Sequence, residues 1–499
     1  MKIKYYLYTF TGSVLTFALS SVLSLPLLSL FSLVPFLHSL NQARSFKSYL
    51  KVSALFFLTY YFLGFSFLLG IYKLIDLPKP FGILLSILAA ALASGITSFI
   101  HFLPTSVLYR FSKHRITDAV SYAMMFTLGE YLLSVIPLVG FPILSLSLSF
   151  SYAPVFIQSS SIFGSFFITL VIVTINSLFA CIISTRIVSL KSLISAGLIV
   201  LIFSANALYG VIRINTSDYF KDALNIAVIQ TDTRGMSKIS NTSDSPLSDL
   251  KSFFDETNGA DMIFLPETAI TDDLRNEELT KEISDLLTVT NAEILSGVFY
   301  SSDHKSYNAY CAFTPEKHEL YLKTALVPLG EFSFFTDTLF DGTESLSPAE
   351  KITPLMAKTS TVAVGVCIES IYPSIIRSQV KNGGEIIAVP TNDSWFYGTH
   401  LQELHFRHCI FRSVENFRCT VRSANSGISA VISPLGQVLS SLGEGEHGVI
   451  NAEISRLQEK TLYTKIGNLW MILPIGLFFV ILFFNLKQTG RIRFYKFDF

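Results

Sequence analysis

Hydrophobic residues form long, nearly uninterrupted runs over about the first 210 residues and again close to the end of the chain. A run of about 17–25 apolar residues can cross the hydrocarbon core of a bilayer as a helix. The pattern predicts about eight such spans, seven before residue 213 and one near the end. Their expected limits are 5–22, 24–40, 50–72, 82–106, 118–139, 161–185, 191–212 and 468–486.

Between these regions, residues 224–455 alternate between short strand-like runs and helix-like patterns. The strand-like runs are 224–232, 261–268, 293–300, 307–313, 361–369, 385–393, 428–433 and 448–454, and the helix-like runs are 246–258, 276–290, 374–382 and 401–417. Strands regularly separated by helices are typical of a layered α/β domain. We therefore expect a multi-span α-helical membrane bundle of seven spans over 1–213, an α/β domain over 224–455, and an eighth span with a tail over 466–499.

Composition supports a membrane protein. Half of the residues are hydrophobic and only 15% are charged, whereas soluble domains carry about 25% charged residues. The 37 basic and 37 acidic residues balance, and no basic block suggests a nucleic-acid partner. The five cysteines show no zinc spacing and no pairing typical of a disulfide framework.

Lysine and arginine are concentrated at one set of span ends, which predicts the orientation of the bundle. The residues on that side are Lys2, Lys4, Arg44, Lys47, Lys51, Arg110, Lys113, Arg115, Arg186, Lys191, Lys487, Arg491, Arg493 and Lys496. The opposite loops carry Lys73 and Lys79, with Arg213 at the edge of the α/β domain. Because positive loops stay in the cytoplasm, we expect both termini there and the α/β domain on the extracytoplasmic face.

Reactive side chains follow several predicted strands of the α/β domain. Glu267 ends DMIFLPET, Cys367 and Glu369 end TVAVGVCIE, and HELYLKTALVPLGEF carries Lys323 and Glu331. A thiol can attack a carbonyl once it loses its proton, a carboxylate can take and return that proton, and a lysine can stabilise the oxyanion. The carboxyl ends of strands are where α/β domains collect their chemistry.

Each of these residues also has a structural interpretation. An isolated apolar-strand cysteine is usually a small, inert core residue. Glu267 could be a solvated turn residue and Lys323 a surface lysine, while Glu331 and Glu369 could be ion-pair partners. Residue types and spacing alone leave both interpretations open.

The order Glu, Lys, Cys resembles the nitrilase, or carbon–nitrogen hydrolase, superfamily. FLPET is similar to its strand with the catalytic Glu, YLKTALVPLGEF to its lysine segment, VGVCIES to its nucleophile elbow and VPTNDSWF to the segment that follows. FRSVENFRCTVRSANSGISAVISPLGQV resembles its downstream helix and strand. A bundle before the domain and one span after it is the arrangement of the apolipoprotein N-acyltransferase family. GEYLLSVIPLVGFP and SSSIFGSFFITLVIVTINSLFA resemble the membrane segments of that family.

The resemblance implies an αββα sandwich and a two-step acyl transfer in a bacterial cytoplasmic (inner) membrane. Cys367 would be the nucleophile, Glu267 the general base and acid, and Lys323 the oxyanion stabiliser, with Glu331 and Glu369 in support. The implied donor is a glycerophospholipid, with phosphatidylethanolamine expected. The implied acceptor is the amine of an S-diacylglyceryl-cysteine lipoprotein, and no cofactor is expected.

Two further sets of residues are candidates for binding a ligand. Asn392, Trp395, Phe396, Tyr397 and Phe332 follow the reactive segments, and we expect them to line the lipid site, although ordinary core packing would equally explain the aromatic ones. A second set could suggest a metal site, namely His400, His405, His408 and Cys409. The corresponding helix of the resembled family binds no metal, so none is expected.

Two other functions remain open from the sequence. The first is a membrane-tethered amidase of the same superfamily, and the second is a membrane protein without catalysis that binds lipids. The complete Glu267, Lys323 and Cys367 set favours an enzyme, and the number of apolar spans favours a lipid substrate over a small amide.

Overall fold

The structure is a computed structural model that describes residues 1–73, 78–110, 116–136, 140–184, 189–231, 250–257, 259–270, 274, 276–302, 304–315, 317–327, 331 and 346–488. Its α-helices are α1 (Ile3–Phe17), α2 (Pro26–Ser32), α3 (Val34–Asn41), α4 (Phe46–Gly64), α5 (Lys79–Val107), α6 (Ile116–Val135), α7 (Pro154–Ile157), α8 (Ser160–Phe163), α9 (Ser165–Ser184), α10 (Leu190–Thr216), α11 (Lys251–Phe254), α12 (Glu277–Thr290), α13 (Pro373–Lys381), α14 (His400–Asn416), α15 (Leu462–Ile466) and α16 (Ile472–Gln488). Its strands are β1 (Ala223–Gln230), β2 (Met262–Phe264), β3 (Glu293–Ser302), β4 (Lys305–Phe313), β5 (His318–Leu322), β6 (Leu355–Met356), β7 (Thr361–Val364), β8 (Ile386–Thr391), β9 (Thr420–Ala424), β10 (Ser429–Ile432), β11 (Val438–Leu442) and β12 (Gly448–Ser455).

Within the described residues, four helices are long and apolar enough to cross a membrane: Phe46–Lys73, Lys79–Val107, Ser165–Ser184 and Leu190–Thr216. Each coincides with one of the expected spans. Pro26–Asn41 and Leu469–Phe484 are apolar but shorter. The structure thus supports a membrane bundle without confirming a count of about eight spans.

The expected span 24–40 corresponds to the apolar helical segment Pro26–Asn41, which is not one regular α-helix. It divides at Leu33 into α2 and α3, and Pro35 lacks the N–H that a continuous helix would use. The Asn176 side chain in α9 repairs the break: Leu33 N–H donates to its Oδ1 (3.0 Å), and its Nδ2 donates to Ser29 O (3.0 Å). A polar side chain inside the bundle therefore supplies the hydrogen bonds that the broken helix loses.

The α/β domain contains two six-stranded sheets, in the orders β12-β1-β2-β3-β4-β5 and β11-β10-β9-β8-β7-β6. In the first sheet β1, β2 and β3 are parallel, and in the second β7, β8 and β9 are parallel. The sequence pattern does not predict β9, because its buried polar residues, among them Arg422, interrupt the apolar alternation.

Alternating side chains place the two sheets face to face. In β1, Ile226 and Val228 join a buried cluster shared with residues of the second sheet, such as Val362. Their neighbours Ala227 and Ile229 pack in a cluster with α12. Helices α13 and α14 cover the outer face of the second sheet. The domain is an αββα sandwich of the nitrilase type, as the resemblance implies.

Helix α14 joins the domain to the bundle, and its apolar residues pack in one cluster with those of the membrane helices. Arg407 donates hydrogen bonds to the carbonyls of Ser20, Ser21 and Val22, just past the carboxyl end of α1. Glu415 accepts one from Ser165 N–H, at the amino end of α9 (2.8 Å). Each charge matches the partial charge of the helix end that it meets.

Candidate active site

Cys367 lies in a sharp turn where the second sheet meets a 3₁₀-helix, Cys367–Ile371. The strand expected over 361–369 ends early, at Val364, because the chain turns at this residue. Cys367 has φ of 52°, a left-handed conformation that costs a residue with a β-carbon free energy. The turn holds the thiol at the end of β7, buried to 7% exposure.

Glu267 follows β2 in the facing sheet and is also buried. Its Oε1 accepts hydrogen bonds from Lys323 Nζ (2.9 Å) and Asn308 Nδ2 (2.8 Å), and its Oε2 accepts one from Asn392 N–H (2.8 Å). Gly297 makes this turn possible, since a β-carbon there would lie 2.6 Å from Glu267 Cα.

Lys323 comes directly after β5, and its ammonium bridges two carboxylates. Nζ lies 2.9 Å from Glu267 Oε1 and 2.7 Å from Glu331 Oε1. Burial alone would lower the pKa of Lys323, but the two carboxylates together hold it well above its usual value. The ammonium is therefore charged and fixed beside Glu267.

Asn308 is a site residue that the sequence did not reveal. From β4, its Nδ2 donates to both Glu267 Oε1 and Glu331 Oε1, each at 2.8 Å. The one available signal was a polar residue inside an otherwise apolar strand, and that pattern carries no chemistry by itself. Asn308 holds the two carboxylates on either side of the lysine.

Glu369 supports the site rather than facing it. Its carboxylate accepts hydrogen bonds from Thr324 N–H and Oγ1, Ala325 N–H, Val366 N–H and the Tyr321 hydroxyl. These donors belong to the segment that carries Lys323 and to the turn that carries Cys367. Burial raises the pKa of Glu369, and its hydrogen bonds from Thr324 oppose that rise. Glu369 thus ties the two segments together.

The charges of Glu267 and Lys323 act on the Cys367 thiol. Burial raises its pKa, the Glu267 carboxylate raises it further, and the Lys323 ammonium opposes them. The thiol therefore rests protonated, beside a carboxylate that can accept its proton. The structure brings Cys367, Glu267 and Lys323 together from strands of the two facing sheets.

The residues expected to line the lipid site differ in their positions. Asn392 reaches the site through its backbone N–H, which binds Glu267. Trp395 and Phe396 lie in the 3₁₀-helix Asp393–Phe396. The Phe396 ring packs edge-on against Phe67, with centroids 5.3 Å apart, and Tyr397 is 45% exposed. Phe332 lies outside the described residues.

The histidines considered as metal ligands do not converge. The rings of His400 and His408 contact the backbone carbonyls of Gly64 and Ile143 in the bundle. His405 forms a group with Cys367 and Asp393 whose ligand atoms lie within 4.8 Å of one another.

This group does not fit a metal ion. Both oxygens of the Asp393 carboxylate are already bonded, Oδ2 to the Arg422 guanidinium at 2.5 Å and Oδ1 to Thr391 and His405. A cation bound there would meet that guanidinium, so the residues present disfavour a metal site.

Comparison with known proteins finds matches to both parts of the chain. Residues 225–461 match the sequence model of the carbon-nitrogen hydrolase family, and residues 11–178 match that of the apolipoprotein N-acyltransferase N-terminal domain. The apolipoprotein N-acyltransferase of Rickettsia typhi is 26% identical over 396 residues, 73% of this chain and 76% of its own. That of Thermotoga maritima is 24% identical over 476 residues, 92% of this chain and 90% of its own.

Among solved structures, Saccharomyces cerevisiae Nit3, a nitrilase-superfamily member, aligns with 51% of this chain and 96% of its own at 17% identity. Its TM-score of 0.38 is too low to identify a fold by itself. The two family matches lie in the order that the sequence resemblance implies, and together they take in the bundle and the α/β domain. The chain belongs to the apolipoprotein N-acyltransferase family and is an acyltransferase.

Proposed function

We propose that this enzyme moves a fatty acyl chain from a membrane glycerophospholipid, through a thioester on Cys367, to the amine of an S-diacylglyceryl-cysteine lipoprotein. The observation that carries the proposal is the position of the nucleophile. Ile368 and Ile371, beside Cys367, pack in one apolar cluster with membrane-helix residues such as Leu133. A thiol whose neighbours in the chain pack with the bundle suits a substrate that cannot leave the bilayer.

In the first step Glu267 takes the Cys367 proton. Among the described residues Oε2 of Glu267 accepts one hydrogen bond, from Asn392, so a lone pair remains for that proton. The thiolate attacks the phospholipid ester, and Lys323 stabilises the oxyanion of the tetrahedral intermediate. When the C–O bond breaks, Glu267 returns the proton to the leaving oxygen, which releases a lysophospholipid.

In the second step the lipoprotein amine attacks the thioester carbonyl. A C–N bond forms, Glu267 takes the amine proton, and Lys323 again stabilises the oxyanion. The C–S bond then breaks and Cys367 regains its proton, which leaves an N-acylated lipoprotein. Both half-reactions use one carboxylate, one ammonium and one thiol, as a ping-pong transfer requires.

We further propose an eight-span topology with both termini in the cytoplasm, the catalytic domain over 224–455 in the periplasm, and an eighth span with a cytoplasmic tail over 466–499. Charge asymmetry supports this orientation. So do the contacts between the domain and the bundle: the domain meets Val22, Gly64, Gly140, Ile143 and Ser165, all near span ends expected on the outer face.

A transfer assay tests the proposal. Purified enzyme is mixed with phosphatidylethanolamine carrying an isotope-labelled acyl chain and with a synthetic S-diacylglyceryl-cysteine peptide. We expect the label in an amide on the peptide, and no transfer by Cys367→Ala. Cys419→Ala, which changes another buried cysteine of the same domain, is the matched control and should transfer normally. Hydrolysis of small amides without labelled peptide would overturn the proposal.

A further inference from the structure

His405 lies on α14 directly behind the nucleophile, and the reaction proposed above does not use it. Its Nδ1 is 2.9 Å from Asp393 Oδ1. Its Nε2 is 2.9 Å from the backbone oxygen of Cys367 and 2.9 Å from Ser370 Oγ. The ring is buried, with 4% of the residue exposed.

The positions of the protons can be worked out from these contacts. The Cys367 oxygen has no proton, and the Ser370 hydroxyl has one, which it donates to that oxygen at 2.9 Å. If Nε2 carried no proton, its lone pair would face the carbonyl lone pairs at 2.9 Å, which is repulsive. If Nδ1 carried none, it would face the Asp393 carboxylate in the same way. The contacts with Asp393, Cys367 and Ser370 are satisfied when both ring nitrogens carry a proton.

The Asp393 carboxylate supplies the negative charge that faces this ring. Burial opposes ionisation of Asp393, but Arg422 and His405 hold its pKa well below the usual value, so the carboxylate is charged. Arg422 is the competing cation, with Nη2 3.3 Å from Nδ1 of His405 and bonded to the other Asp393 oxygen.

Other ionisable groups of the described structure near His405 include Cys367, His408 and Cys409. Burial lowers the pKa of His408 and raises the pKa of both thiols, so all three are neutral at rest. One buried carboxylate, Asp393, thus stands between Arg422 and His405.

We propose that His405 is the positioning residue of the nucleophile: held as an imidazolium by Asp393, it donates its Nε2–H to the Cys367 carbonyl and fixes the turn that presents the thiol. The trans peptide is planar, so holding this carbonyl also sets the plane of the peptide that follows Cys367. For its effect on catalysis this inference rests on the proposed function.

The positive φ of Cys367 explains why the turn needs holding. A residue with a β-carbon pays about 1–3 kcal/mol for such a conformation and keeps it only when its surroundings fix it. Without the His405 donor the turn can relax and move the thiol. A displacement of about 1 Å from the reactive geometry can slow a reaction by about 10²-fold.

Kinetics of acyl-enzyme formation separate positioning from simple support of the fold. His405→Leu should lower the rate constant for acylation by about 10²-fold while leaving the KM for phospholipid unchanged. His405→Gln keeps an N–H for the carbonyl and should stay within about tenfold of wild type. His408→Gln, on the same helix, is the control for loss of a buried ring. Equal losses in the Leu and Gln variants, or normal acylation in His405→Leu, would overturn the inference.

A spectroscopic test needs neither turnover nor the Leu variant. The full-length protein, labelled with ¹⁵N at its nine histidines and held in lipid at neutral pH, should show a signal from the His405 ring with both nitrogens protonated. That signal should be missing in His405→Gln and altered in Asp393→Asn. A spectrum in which His405 is neutral contradicts this inference, even if acyl transfer proceeds as proposed. Failure of acyl transfer with the imidazolium present contradicts the proposed function alone.

Discussion

At the scale of single residues, the site depends on charges that oppose one another. The Lys323 ammonium lies between the carboxylates of Glu267 and Glu331. The Glu267 carboxylate raises the pKa of the Cys367 thiol and the Lys323 ammonium lowers it. Because Cys367 has a raised pKa, little thiolate is present at neutral pH, and its alkylation should become faster as the pH rises. In the proposed mechanism the thiol is activated only when Glu267 takes its proton.

Replacing Glu267 by Gln separates thiol reactivity from catalysis. The change removes an anion that raises the pKa of Cys367. Alkylation of Cys367 by iodoacetamide at fixed pH should therefore be faster, whereas acyl transfer should fall by at least about 10²-fold because the base is lost. Glu453→Gln, at an exposed position in β12, should change neither rate. Slower alkylation in Glu267→Gln would contradict this account of the electrostatics.

Asn308 gives a second prediction at this scale. Asn308→Leu keeps the size of the side chain but removes the donor shared by Glu267 and Glu331. The loss of a buried donor costs about 1–3 kcal/mol, so we expect acylation to slow by about 10–100-fold. Asn451→Leu, at an exposed β12 position, should acylate normally. An Asn308→Leu enzyme with wild-type acylation would show that the bridge is dispensable.

Residue types and strand positions are enough to single out Glu267, Lys323 and Cys367 as candidates. Asn308, Asp393 and His405 could not be found in that way. Their roles come from contacts between segments far apart in the chain, such as the hydrogen bond from Asn308 to Glu267. A strand asparagine or a helix histidine has the same local pattern whether or not it lies at a site.

At the scale of elements, most strands and helices follow the hydrophobic pattern, and the exceptions have physical causes. The break at Leu33 was not predicted because Asn176, which satisfies its hydrogen bonds, lies on a distant helix. Asn176→Leu should lower the free energy of unfolding by about 1–3 kcal/mol. Ser177→Ala is the control, since this buried hydroxyl has no hydrogen-bond partner within the described structure. Equal stability of the two variants in detergent would contradict this role.

The junction between α14 and α1 gives another prediction for an element. Arg407→Met keeps the length of the side chain but loses three hydrogen bonds to the carbonyls that follow α1. Because hydrogen bonds from charged groups contribute about 1.5–3 kcal/mol each, thermal unfolding should shift clearly downward. Lys317→Met breaks an exposed ion pair with Glu319 and should change stability by less than about 1 kcal/mol. If the two variants unfold alike, the junction contributes little.

At the scale of the whole molecule, the bundle and the α/β domain pack together through one continuous apolar cluster. The outer face of the second sheet packs on helices that also pack on the bundle, so the turn at Cys367 lies on the side of the domain that meets the bundle. The overall division was predictable because apolar runs and alternating patterns are local properties of the chain. The packing of α14 between the two parts was not predictable, since most of the residues of this helix are buried whether they are polar or apolar.

The topology makes a prediction at the same scale. A reporter fused after Phe499 should behave as cytoplasmic, because the basic residues gather at that side of the bundle. One inserted into 232–249 should behave as extracytoplasmic. A cytoplasmic readout from the second fusion would reverse the proposed orientation.

The most direct test of the central claim is the intact mass of the enzyme after incubation with phosphatidylethanolamine. We expect one added acyl chain, absent in Cys367→Ala, released by hydroxylamine as a thioester should be, and discharged by a diacylated lipopeptide. An enzyme that transfers acyl chains to the peptide without ever carrying one on Cys367 would contradict the proposed mechanism.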